Sequence, residues 1–210
     1  MAASDMERPG QSRGMAWWRV PLDGNPIHLG AEPGAGGTTV GLHAARQVLA
    51  EGGRVLWMSP KLPDPTRFSQ IIGSLPIQSS ARFLSIETGG EANLGFRQLD
   101  AALRSIPGLG LVVLDDWAPA SGPVSSDLSK GILNHISTWS SEIPHLLIST
   151  ANQDASNGDE ALRVRHRREL AEVGCRIGIL SRSENGLRHL TLGEEVHTIR
   201  LHEDGIDAVE

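Results

Sequence analysis

The stretch Gly30-Ala-Glu-Pro-Gly-Ala-Gly-Gly-Thr-Thr39 limits the possible folds of this chain more than any other segment. It lies between a short apolar run, Ile27–Gly30, and an amphipathic stretch, Thr38–Glu51. A strand that enters a glycine-rich turn and leaves as a helix points its main-chain N–H groups into one concavity. The helix N-terminus adds partial positive charge, so such a turn suits a phosphate. The phosphate-loop pattern is G-x-x-x-x-G-K-[ST]. With Gly36 on its last glycine, Thr38 falls on the hydroxyl that holds Mg²⁺, Ala31 replaces the first glycine and Gly37 replaces the lysine. The cradle of Gly34, Ala35, Gly36, Gly37, Thr38 and Thr39 is retained, and the cation that reaches the phosphates is lost. A turn that merely packs tightly is the competing reading.

A second motif narrows the choice. Leu109–Asp115, with Asp116 directly after it, reads as a buried strand ending in carboxylates, the arrangement in which an acid orients magnesium beside a phosphate loop. Asp115 is the candidate magnesium residue alongside Thr38, and Asp116 reads equally as a helix cap. Further strands are expected at Arg54–Ser59, Arg82–Ile86 and His145–Thr150. Helices are expected at Pro65–Ser74, Asn93–Ile106 and Ser125–Ser140. This alternation requires crossovers, hence an α/β fold with a mainly parallel central sheet and helices on both faces. The pattern changes near the C-terminus, where Asn185-Gly186 between Cys175–Arg182 and Leu187–Leu192 marks a hairpin. With Val196–Leu201 it predicts an antiparallel β-meander.

The 210 residues suit a single domain, expected over 15–210, with polar Met1–Gly14 as a disordered lead. The single Cys175 allows no internal disulfide, and the eight histidines lack metal-ligand spacing. No zinc, haem or flavin is expected. No apolar run approaches a membrane span, which predicts a cytoplasmic chain with no membrane partner. A net charge of −6 argues against a generally basic, nucleic-acid-coating surface. One segment departs from that balance. Arg163, Arg165, Arg167 and Arg168 with His166 form the densest basic cluster, suited to phosphate contacts or to a solvated helix face. No aromatic residue lies in 151–176, so no base-stacking platform is expected there. Trp57 and Trp139 read as core or near-core, Trp17-Trp18 as a core cap or a partner anchor, and Trp117 as packing or a neighbour of a bound base.

Taken together, these residues resemble the RecA superfamily, and within it the archaeal RadA/RadB recombinase group. The resemblance runs from about Ile27 to the C-terminus. It rests on the glycine loop, on Arg54–Phe68, on the Leu109–Asp115 strand and on Leu146–Gln153, which looks like the strand preceding the group's second DNA-binding loop. It rests most specifically on Gly193–Asp207, similar to the group's closing "GEAVFRITEDGI" segment. The resemblance implies a RecA-like P-loop core, ATP and Mg²⁺ as cofactors, and Gln153 as a γ-phosphate sensor. It also implies DNA contact at Arg163–Arg168. Where the group has a catalytic glutamate, Ser59-Pro60-Lys61 stands instead, so Lys61 is the candidate for restoring the missing phosphate charge, or an ordinary turn lysine.

Two functions follow from the resemblance. One is a RadB-like paralogue assisting homologous recombination and DNA repair, binding ATP without efficient hydrolysis. It would contact DNA weakly and non-specifically, lie at the nucleoid when DNA-bound, and engage the main recombinase or another recombination protein. The other is a non-catalytic scaffold acting through protein association. An active ATPase with a displaced lysine is a third reading, and no Phe-x-x-Ala assembly segment is present.

Overall fold

The computed structural model describes residues 18–153 and 162–209. The expected lead at Met1–Gly14 and Trp17 lie outside them, as does most of the loop after Gln153. Alternating elements open the chain: β1 (Ile27–Ala31), α1 (Gly37–Ala50), β2 (Arg54–Ser59), α2 (Pro65–Ile72), α3 (Ile77–Ser80), β3 (Phe83–Glu87), α4 (Ala92–Ser105), β4 (Leu109–Leu114), α5 (Ser126–Trp139) and β5 (His145–Thr150). A short ribbon follows, β6 (Asn152–Gln153) with β7 (Leu162–Arg163), and then α6 (Arg167–Glu172). The end is β8 (Arg176–Arg182), β9 (Leu187–Leu192), β10 (Glu195–Leu201) and β11 (Ile206–Ala208).

One sheet runs in the order β11-β10-β9-β8-β1-β5-β4-β2-β3. It is parallel from β8 to β3 and antiparallel from β8 to β11. Side chains alternate across a strand, so a sheet covered on both faces needs apolar residues at every position. The central strands meet that demand: Val55, Trp57, Leu111, Val113, Leu146 and Ile148 pack with α1, while Leu56, Met58, Val112, Leu114 and Leu147 pack with α4 and α5. Local signals set the helix starts. Asp64 accepts the Arg67 N–H at 2.9 Å ahead of Pro65, and Ser125 accepts the Leu128 N–H at 3.2 Å.

The expected meander is present, and Asn185 takes the left-handed conformation its hairpin requires (φ 55°). Trp18 is buried in the core and donates its backbone N–H to Ile206 O at 3.1 Å, so it caps the core at the β11 edge. Trp57 is fully buried, and Trp117 is buried with its indole N–H donating to His28 Nε2 at 3.2 Å. The sequence did not lead us to expect α3, the β6–β7 ribbon or β11, whereas α6 falls on the arginine cluster for which a helix face was one reading. Among the described residues no helix is long and apolar enough to cross a membrane.

Candidate functional site: a phosphate loop at the carboxyl end of the sheet

β1 lies between β5 and β8, and the chain leaves it into the glycine loop at the carboxyl end of the parallel strands. Gly36 has φ 97°, a conformation L side chains rarely adopt, and it starts α1 from there. The hollow above the loop measures about 240 Å³. Gly34, Gly36, Gly37, Thr38 and Thr39 line it, joined by Glu32, Asp116 and the end of β5. Ala35, fully buried, supports the loop from beneath and does not line the hollow.

Two arginines of the meander hold this loop. Arg182 donates from its backbone N–H to Glu32 Oε2 at 2.7 Å and from its guanidinium to Oε1 at 2.8 and 3.0 Å. Those hydrogen bonds hold the Glu32 carboxyl below the usual carboxylate range. Arg188 donates to Ala35 O at 3.0 Å. From the other side Arg67 donates to Thr39 Oγ1 at 3.1 Å and to Glu203 O at 2.9 Å.

Thr38 and Asp115 meet across the base of the loop: the hydroxyl donates to Asp115 Oδ2 at 3.0 Å, with Oδ1 at 3.3 Å. Burial pushes the Asp115 carboxyl up to about 7, the neighbouring Asp116 adding to the shift and the Thr38 hydrogen bond opposing it. A divalent cation placed there would reverse the cost of that buried charge. Loop amides, a hydroxyl and a buried carboxylate are groups that fit a phosphate with Mg²⁺, and Thr38 and Asp115 are the residues that would hold the metal. The lysine position does not fit its usual side chain. A Cβ built on Gly37 would lie 2.9 Å from both Ala31 Cβ and Ile148 Cγ2. The core has closed behind the glycine, and no basic residue lines the hollow.

The other candidates are spread more widely. Lys61 is an exposed turn residue after β2 and lines neither this hollow nor its larger neighbour. Gln153 enters β6 and pairs with Leu162. Arg163 is exposed on β7. Arg165 is committed to Gly122 O at 2.7 Å and Ala120 O at 3.0 Å, and so ties down the loop after β4. Arg167 and Arg168 are exposed on α6, with Arg168 paired to Glu172 at 2.9 Å. Three of the four arginines are therefore on the surface, on two different elements.

Sequence reading missed Glu32, Arg67, Arg182 and Arg188, and misread Asp116. No helix starts at Asp116; the residue has φ 49° and contributes to the phosphate hollow. Arg182 and Arg188 are register partners beside the hairpin turn, so their adjacency was open to inference. Their reach to the glycine loop, from far along the chain, was not.

No known protein family matches the chain by sequence, and no curated protein does. Solved structures do match. A crystal structure of the RadB recombinase superposes with a TM-score of 0.68 at 20% identity, covering 89% of this chain and 91% of that one. A DnaB-like replicative helicase, solved for its interactions with primase, superposes with a TM-score of 0.65 at 15% identity. That match covers 89% of this chain and 59% of the helicase. At these identities the likeness establishes the fold, which is RecA-like.

Proposed function

We propose that this chain is a RadB-like recombinase paralogue that assists homologous recombination and DNA repair, binding ATP–Mg²⁺ without hydrolysing it efficiently. The observation that carries this reading is the Thr38–Asp115 hydrogen bond of 3.0 Å at the base of a glycine loop. Loop amides and the α1 N-terminus would receive the phosphates, and Thr38 with Asp115 would hold the metal. Bound magnesium would neutralise phosphate charge there. Turnover is slow because no carboxylate follows β2, where Ser59-Pro60-Lys61 stands. An absent oriented base costs about 10²–10⁴ in rate. Gln153 in β6 comes after β5 and before the exposed Arg163, Arg167 and Arg168 along the chain, and those arginines would supply weak, sequence-independent DNA contact.

A thermal-shift titration with ATP–Mg²⁺ tests the reading, because a ligand that binds only the native state raises its stability by mass action. Wild type is expected to shift upward and Thr38→Val to shift much less. No shift in wild type refutes nucleotide binding. That result would favour the scaffold reading, which the close packing behind Gly37 supports. Fluorescence anisotropy with single-stranded DNA at low salt tests the DNA contact separately. Absence of binding removes it.

A further inference from the structure

A second hollow is larger than that of the glycine loop. It measures about 440 Å³ and opens beside the ends of β2 and β4, bounded by α4 and α5. Its walls are apolar, formed mainly by Met58, Phe96, Trp117, Pro119, Pro123 and Leu128. Its charged groups are Asp115 and Asp116, and no basic residue lines it. A volume of this order with apolar walls and few polar groups is that of a ligand site.

The site is preformed. The loop carrying Pro119 and Pro123 is fastened by Arg165, through Gly122 O and Ala120 O, and by Asn152 Nδ2, which donates to Ala120 O at 3.1 Å. Trp117 is fixed through its N–H bond to His28. Asp116 is held with φ 49° and lines both this hollow and the phosphate hollow. In the phosphate hollow its charge is a liability. The carboxylates lining that hollow are Glu32 and Asp116. Glu32 is paired with Arg182, whereas among the described residues Asp116 has no ion pair to a basic side chain.

We propose that the larger hollow receives an arginine side chain from a protein partner, and that its guanidinium, by pairing with Asp116, makes the adjoining loop receptive to a polyphosphate. An arginine fits because its methylene stem covers apolar walls while its flat head stacks on aromatic rings and forks onto a carboxylate. A nucleic-acid strand fits worse, since its phosphates would approach two carboxylates. The first half of the proposal stands on the hollow alone; the second rests on the nucleotide-binding reading above.

Nuclear magnetic resonance of the tryptophan indoles tests both halves on the intact chain. The Trp117 N–H signal is identified by its loss in Trp117→Phe. Titration with N-acetyl-arginine amide, with EDTA present and nucleotide absent, is expected to move that signal. The uncharged citrulline analogue should not move it. Asp116→Asn, which tolerates the same backbone conformation, should weaken the arginine probe about tenfold, and Leu128→Trp, which fills the hollow, should abolish its effect. Equal response to citrulline, an unchanged response in Asp116→Asn, or the same displacement by an oligothymidylate overturns the arginine site. After chelator removal, saturating arginine probe should tighten ATP–Mg²⁺ binding by roughly tenfold, within the usual range of coupling between sites. Unchanged ATP affinity overturns the coupling alone. Arginine binding with no ATP binding under any condition overturns the nucleotide reading and the coupling, and leaves the arginine site standing.

Discussion

Arg182 and Arg188 are register partners across β8 and β9, and they hold different points of the glycine loop: Arg182 the Glu32 carboxylate, Arg188 the Ala35 carbonyl. The antiparallel meander thereby acts as the outer brace of the glycine loop. Alanine at both positions should cost about 1–2 kcal/mol of stability, the range of two modest polar interactions on a partly exposed surface. The loop should respond more than the fold does. Hydrogen exchange of the Gly34–Thr38 amides is expected to accelerate well beyond that of β5. Uniform acceleration across both segments would mean that the arginines stabilise the whole domain and not the loop.

Restoring the motif lysine should not restore a strong site. Gly37→Lys forces a Cβ against Ala31 and Ile148 at 2.9 Å, and overpacking of this kind typically costs about 1–3 kcal/mol. The expected outcome is a lower midpoint in urea and no gain in ATP affinity. A variant as stable as wild type that binds ATP more tightly would show that the glycine is a simple loss.

Asp115 should make stability fall with rising pH. Its carboxyl is raised in the fold to about 7, so the native state holds a proton that the unfolded chain releases near 4. Stability from this residue is lost as pH climbs between those values, at up to about 1.4 kcal/mol per unit, and is flat above. Asp115→Asn removes the effect. Its advantage over wild type, measured by urea unfolding without metal, should be small at pH 5 and largest at pH 8. A difference independent of pH would remove the argument.

His28 and His145 should produce the opposite slope. Burial drives each imidazole down to about 3, with His166 and His135 respectively as the second cause. Below about 6.5 the unfolded chain takes up protons that the native state refuses. Stability is therefore lost as pH falls toward 3, at up to about 1.4 kcal/mol per unit for each histidine. His28→Gln should make this acid limb shallower, read as midpoints in urea from pH 6.5 to 4. An unaltered limb would assign acid sensitivity elsewhere.

Much of the architecture was open to sequence reasoning because the central strands are apolar at nearly every position and the helix starts carry their own caps. Thr38 and Asp115 were recoverable for the same reason, since each is fixed by the element it ends or begins. Boundaries shifted by a residue or two, as at β1, which continues to Ala31. The missed parts depend on distant pairing. β11 is only three residues long and exists because β10 supplies its hydrogen bonds. Arg67 and Arg182 look like surface charges until α2 and β8 are placed around the loop. Asp116 stayed open between a strand-end carboxylate and a helix cap because a positive φ at a non-glycine residue leaves no mark in composition.

The placement of β1 between β5 and β8 also governs the order of assembly during synthesis. The strand that carries the glycine loop leaves the ribosome before β5 and β8 do, and Ile27 has no strand neighbour until Leu146 and then Arg176 have been made. An N-terminal fragment stopping short of β5 would therefore present Ile27–Ala31 as an unpaired, aggregation-prone segment, and a nascent chain needs either rapid elongation or a chaperone over that interval.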